Sequence, residues 1–173
     1  MIFANLRGLV TFNGKTWTFR VAKDSKKRPV PLMKLLPVGD KIYAGGSIDI
    51  GVWKKKDNEY VYHSFAVGKY KDRQFSLNMQ VFQYKGFIFF MSTPEVIVTD
   101  GEKIIKIIKA PKRTILYYLH HCQGDLLLST NKDLLKWNAT TKNFTNIIED
   151  KKARILITEW QGKKLEVFSK HGI

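Results

Sequence analysis

Val38-Gly39-Asp40-Lys41-Ile42-Tyr43-Ala44-Gly45-Gly46 sets out a plan in nine residues: a glycine turn, an apolar strand, and small residues where the strand ends. The plan is written three more times. The copies are Tyr84-Lys85-Gly86-Phe87-Ile88-Phe89-Phe90-Met91-Ser92-Thr93, Gln123-Gly124-Asp125-Leu126-Leu127-Leu128-Ser129-Thr130 and Gln161-Gly162-Lys163-Lys164-Leu165-Glu166-Val167-Phe168-Ser169. Their turn glycines are 47, 38 and 38 residues apart. A four-stranded propeller blade needs a repeat of about 40–50 residues, which is this period.

Each copy is flanked in a regular way. A second apolar strand, a turn and an aromatic follow it, at 51–62, 96–104 and 134–144, and the same arrangement opens the chain at 8–17. Asn13-Gly14 and Asp100-Gly101 are pairs that favour a two-residue hairpin, since both positions tolerate positive φ. An apolar run precedes each glycine turn, at 31–38, 75–82, 114–121 and 153–160. These runs read as the innermost strands, covered on both faces. Strands rich in Val, Ile, Phe, Tyr and Trp, with no long 3.6-residue period, make the chain all-β.

The phase of the repeat predicts how the ends meet. Residues 1–20 read as the second half of a unit and 149–173 as the first half, so together they would make one blade and remove free sheet edges. The fold expected is a single β-propeller domain over 1–173 of about four four-stranded antiparallel blades: 21–66, 67–111, 112–148, and 149–173 plus 1–20, the last completed by the N-terminal strands. The alternative is an open partial propeller completed by oligomerisation.

At these repeats the sequence resembles the regulator-type propeller repeats of bacterial hybrid two-component sensors and of related propeller and triple-tyrosine-domain regulators. The resemblance is carried by Ile42-Tyr43-Ala44-Gly45-Gly46-Ser47-Ile48-Asp49-Ile50-Gly51-Val52-Trp53 with Tyr60-Val61-Tyr62-His63-Ser64-Phe65, and by 8–17 and 125–144. It spans nearly the whole chain, with 87–104 more divergent. It implies a ligand-binding or dimerising platform without catalytic residues. The triple-tyrosine domain, further blades and any membrane segment are missing from the pattern, and the charge is unusual for a carbohydrate sensor.

That charge is +15, from 30 Lys+Arg against 15 Asp+Glu in 173 residues. It creates a positive field and points to an anionic ligand or acidic protein partner, though lysines also solubilise a sheet protein and blunt its edges. Lysine outnumbers arginine, which argues against sequence-specific nucleic-acid reading. Cys122 is the one cysteine, so no intrachain disulfide forms. No signal peptide or 18-residue apolar span is legible, so no membrane insertion is expected. The location would be periplasmic if the chain is part of a sensor, and cytoplasmic or virion-associated if it is free-standing.

Candidate site residues follow from the blade plan. Asp49, Glu95 and Asp133 fall in the loop between second and third strands, on the rim where propellers usually bind ligands. With Asn131, Lys132 and His171 they would form a polar ligand site. Basic clusters at 23–28, 54–56, 109–113 and 151–154 suggest partner binding through Arg28, Arg113 and Lys54, Lys55 and Lys56. His120 and Cys122 share a strand face, but zinc needs three or four ligands, so His120 reads as a core histidine and no metal or cofactor is expected. Asn138-Ala139-Thr140 and Asn143-Phe144-Thr145 fit a glycosylation pattern but sit where a turn wants Asn and Thr. No acid–base pair or partnered nucleophile stands out, so the function expected is a non-enzymatic, ligand-binding sensor module of a signal-transduction protein. The alternative is a structural or assembly protein, such as a phage tail or other virion component, binding protein partners or copies of itself.

Overall fold

A computed structural model describes residues 1–5, 8–71, 73–75 and 79–147 in full, and the backbone of two further strands at 155–161 and 164–169. The chain is all-β and propeller-like, a succession of antiparallel sheets with one 3₁₀ turn at Gly68–Tyr70 among the described residues. Three sheets are complete four-stranded blades. They are β4 (Lys34–Val38) to β7 (Glu59–Ser64) with β5 (Lys41–Gly45) and β6 (Ile50–Lys56) between; β8 (Gln80–Tyr84), β9 (Phe87–Ser92), β10 (Glu95–Thr99) and β11 (Ile104–Lys109); and β12 (Leu116–Cys122), β13 (Asp125–Thr130), β14 (Leu134–Asn138) and β15 (Asn143–Asn146). Each follows chain order, so every connection within a blade is a hairpin.

The two ends differ in detail from the single composite blade expected. β1 (Ile2–Asn5), β2 (Gly8–Phe12) and β3 (Trp17–Val21) form one three-stranded sheet, while β16 (Ile155–Gln161) and β17 (Lys164–Ser169) form a two-stranded one. Each of these is hydrogen-bonded within itself, and among the described residues no ladder joins them. The leading segment also carries one strand more than the repeat phase implied. Asn5 pairs with Gly8 as Ser92 pairs with Glu95, which puts β1 in the place of a second strand.

Turn chemistry explains where the hairpins fall. Lys85 and Gly86, Gln123 and Gly124, and Asp57 and Asn58 all take positive φ, the conformation of a type I′ turn whose twist matches its flanking strands. Asn13-Gly14 and Asp100-Gly101 behave otherwise. Phe12 pairs with Trp17 across a four-residue loop in which Asn13 Oδ1 accepts the Lys15 and Thr16 N–H groups at 3.0 and 2.9 Å. Asp100 does the same for Glu102 and Lys103, and Asn138 for Thr140 and Thr141. A side-chain acceptor at the turn entrance stands in for the backbone, and here it outweighs the asparagine's tolerance of positive φ.

Neighbouring sheets stack face to face over three apolar clusters. Leu9, Ile42, Ala44 and Trp53 fill the space between the first two sheets; Tyr43, Ile50, Val52, Phe90 and Ile97 the next; Phe89, Val96, Val98, Leu128 and Trp137 the third. The most buried strands are β9, β10 and β13 rather than β4 and β8, the leading strands of their blades. Leading strands keep one edge unpaired within their own sheet, and they lie beside one another, Gln80 Oε1 of β8 accepting the Leu119 N–H of β12 at 3.1 Å.

Candidate functional site

The connections between blades and the turns between second and third strands share one rim. Phe75 N–H donates to Ser47 O at 2.7 Å, Leu116 N–H to Thr93 O at 3.2 Å and Asn131 N–H to Ile115 O at 3.1 Å, so each connection is laced to the turn beside it. Asp49, Glu95 and Asp133 hold equivalent places in three of these turns.

Each acid is used locally. Asp49 is fully buried; its Oδ1 accepts the Ile50 N–H at 2.7 Å and the Ser64 hydroxyl at 2.8 Å, while Oδ2 has no hydrogen-bond partner. Burial pushes its carboxyl up to about 6, against the lowering effect of those two hydrogen bonds. Asp133 Oδ1 accepts the Asn146 amide at 2.8 Å. Asp49 and Asp133 thus tie their turns to the last residues of β7 and β15, the outer strands of their own blades. Glu95 is buried and ion-paired with Arg73 from the preceding connection.

Asn131 Oδ1 accepts the Ile115 N–H at 2.8 Å and its amide donates to Arg113 O at 3.3 Å, while Lys132 Nζ donates to Lys112 O at 3.4 Å. This group clamps the 111–115 connection, where Arg113 sits exposed at φ 61°. His171 and the 151–154 cluster lie outside the described residues. His120 is half-buried, its Nε2 3.3 Å from Ser129 Oγ, and burial lowers its pKa.

The three consecutive lysines do not make a patch. A strand sends successive side chains to opposite faces. Lys54 therefore reaches Glu102 of the next blade, which Lys41 also engages at 2.9 Å, and Lys55 turns back over the Tyr60 ring at 5.9 Å. Lys56 stays exposed, opposite Glu59 in the ladder. The two ammonium groups hold the Glu102 carboxyl below its ordinary range.

An open cleft of about 340 Å³ lies on the connection rim, walled by Asp24, Ser25, Arg28, Arg73, Gln74 and Ile48. Arg28 is bound by Asp24 at 2.6 Å, and Arg73 by Glu95. Asp24 also accepts the Lys26 and Arg28 N–H groups, which fixes the turn that presents Arg28. Arg73 Nε is buried without a partner. Sequence reading pointed to Arg28 alone among these. Arg73 and Gln74 sit in a connection with no repeat signature, and a lone arginine there carries no pattern until its partner Glu95 is placed beside it.

Two of the solved structures that share this fold come from one protein. Both show the extracellular domain of BT4673 from B. thetaiotaomicron, described once as a one-component system and once as a hybrid two-component system. The first aligns with 99% of this chain and 25% of its own, at TM-score 0.57 and 14% identity; the second with 98% and 23%, at 0.56 and 9%. The chain therefore spans about a quarter of the length of the solved chains it matches. No protein-family model and no curated protein matches the sequence.

Proposed function

We propose that the chain is a sensor-type propeller module that works by binding a polar, anionic ligand on the connection rim rather than by catalysis. The observation that carries this is the rim cleft. Two guanidinium groups from different connections face it, each oriented by a carboxylate, with Gln74 and Ser25 adding neutral hydrogen-bonding groups. Oriented arginines suit the carboxylate or sulfate groups of an acidic ligand better than flexible lysines do, because their fork of donors is held in place before binding. Lys23, Lys26 and Lys27, all exposed beside Arg28, add a long-range attraction. The likeness in fold to extracellular domains of one- and two-component systems supports a sensing role.

The test is calorimetric titration of the whole chain with uronate-containing and sulfated oligosaccharides against a neutral one. Acidic probes are expected to bind, with affinity falling as salt rises, and Arg28→Gln to weaken them by about tenfold. Arg28 is exposed on the rim, so this variant keeps the fold. Equal binding of the neutral probe, or no change in Arg28→Gln, overturns the reading.

A further inference from the structure

Among the described residues, the first sheet leaves one apolar face exposed. In two blades an aromatic pair faces the preceding sheet in the same register. Trp53 pairs with Tyr62 and Trp137 with Phe144, ring centroids 5.2 Å apart in each. Both are covered: Trp53 is 1% exposed against Leu9 and Ile42, and Trp137 5% exposed, edge-on to Phe89 at 4.9 Å. The first sheet carries the equivalent pair, Phe12 and Trp17, stacked at 4.6 Å. There Trp17 is 57% exposed.

The rest of that face is apolar as well. Phe3 and Phe19 flank Val10 in the ladder, and Val21 and Met1 extend the face to its ends, Met1 exchanging both backbone hydrogen bonds with Phe12. Among the described residues, five of the twelve exposed large hydrophobics lie here, and no charged side chain shares the face. Contiguous apolar surface of this kind marks an interaction site, whereas single exposed hydrophobics need no explanation.

We infer that this face binds a second copy of the chain, isologously, aromatic face against aromatic face. Two observations select that occupant. In a chain of net charge +15, a sheet face whose described residues carry no charged side chain, with the Met1 ammonium at its end tied to Phe12 O, is where two copies approach with least repulsion. The equivalent faces of the three complete blades are already buried in the three clusters, so a second copy has this same face to offer, which closes a two-fold dimer. The Trp137 contact with Phe87 and Phe89 shows that the cover these pairs accept can itself be aromatic.

Sedimentation equilibrium of the full chain over a range of concentrations tests this. The wild type is expected to dissociate from a dimer, and Trp17→Lys to weaken association at least tenfold while far-ultraviolet circular dichroism stays unchanged. Phe19→Ser provides a second variant should the lysine disturb the sheet, with the same expected loss. A wild type that is monomeric throughout, an open series of higher oligomers, or a dimer indifferent to both variants each overturns the inference. Dimerisation is read independently of acidic-ligand binding, which takes place on the rim.

Discussion

Asp49 carries a cost that its position in the turn imposes. A carboxylate with one oxygen unpartnered in a dry site favours its protonated form, hence a pKa raised to about 6 from 3.8. Because the folded state holds this proton more tightly than the unfolded chain, the penalty is present above pH 6. It is relieved as pH falls from about 6 toward 4, to a limit of about 3 kcal/mol. His120 acts in the opposite sense: its lowered pKa removes stability as pH falls through the range where an unfolded histidine protonates. The comparison of wild type with Asp49→Asn isolates the first effect. Asparagine keeps the Oδ1 acceptor and carries no charge, so urea denaturation should show it more stable by about 1–2 kcal/mol at pH 8 and no more stable than wild type at pH 4. A variant less stable at pH 8 would mean that Asp49 is ionised and satisfied in place.

At the scale of the element, the glycine pair closing β5 shows how tightly turns and connections are laced. A Cβ on Gly46 would lie 1.8 Å from Pro31 O, a backbone atom, while one on Gly45 would meet the Met79 sulfur at 2.5 Å. Backbone cannot yield where a methionine can. Gly46→Ala is therefore expected to cost about 3 kcal/mol and Gly45→Ala about 1 kcal/mol, read from thermal unfolding; equal losses would refute the distinction. The sequence already placed this pair of small residues where the strand ends, and strands, blade order and the glycine turns were legible because each has a local signature. What was not legible depends on partners far along the chain. The four-residue Asn13 and Asp100 loops turn on side-chain acceptors, the burial of Asp49 on the Ser64 it meets, and the rim cleft on connections that carry no repeat. Lys54, Lys55 and Lys56 look like a cluster only until strand alternation separates them.

At the scale of the molecule, the repeat predicted a propeller and the all-β stack of blades is one, but the strand count of the first sheet was beyond the reach of local pattern. Ile2-Phe3-Ala4-Asn5 is too short to show a period, so β1 went unseen, and with it the three-stranded form of the first sheet. From the first sheet to β12–β15, apolar side chains are buried chiefly between sheets that are neighbours in sequence, which makes this part of the stack quasi-one-dimensional. The middle sheet, β8 to β11, contributes residues to two of the three clusters and is sandwiched on both sides. Amide hydrogen exchange should therefore be slowest in β9 and β10 and quicken outward toward β1 to β3, with protection graded blade by blade. Uniform protection across the described sheets would contradict this. Such a gradient would let an end sheet open and reclose while the centre stays folded, leaving the outermost sheet available to exchange partners at little energetic expense.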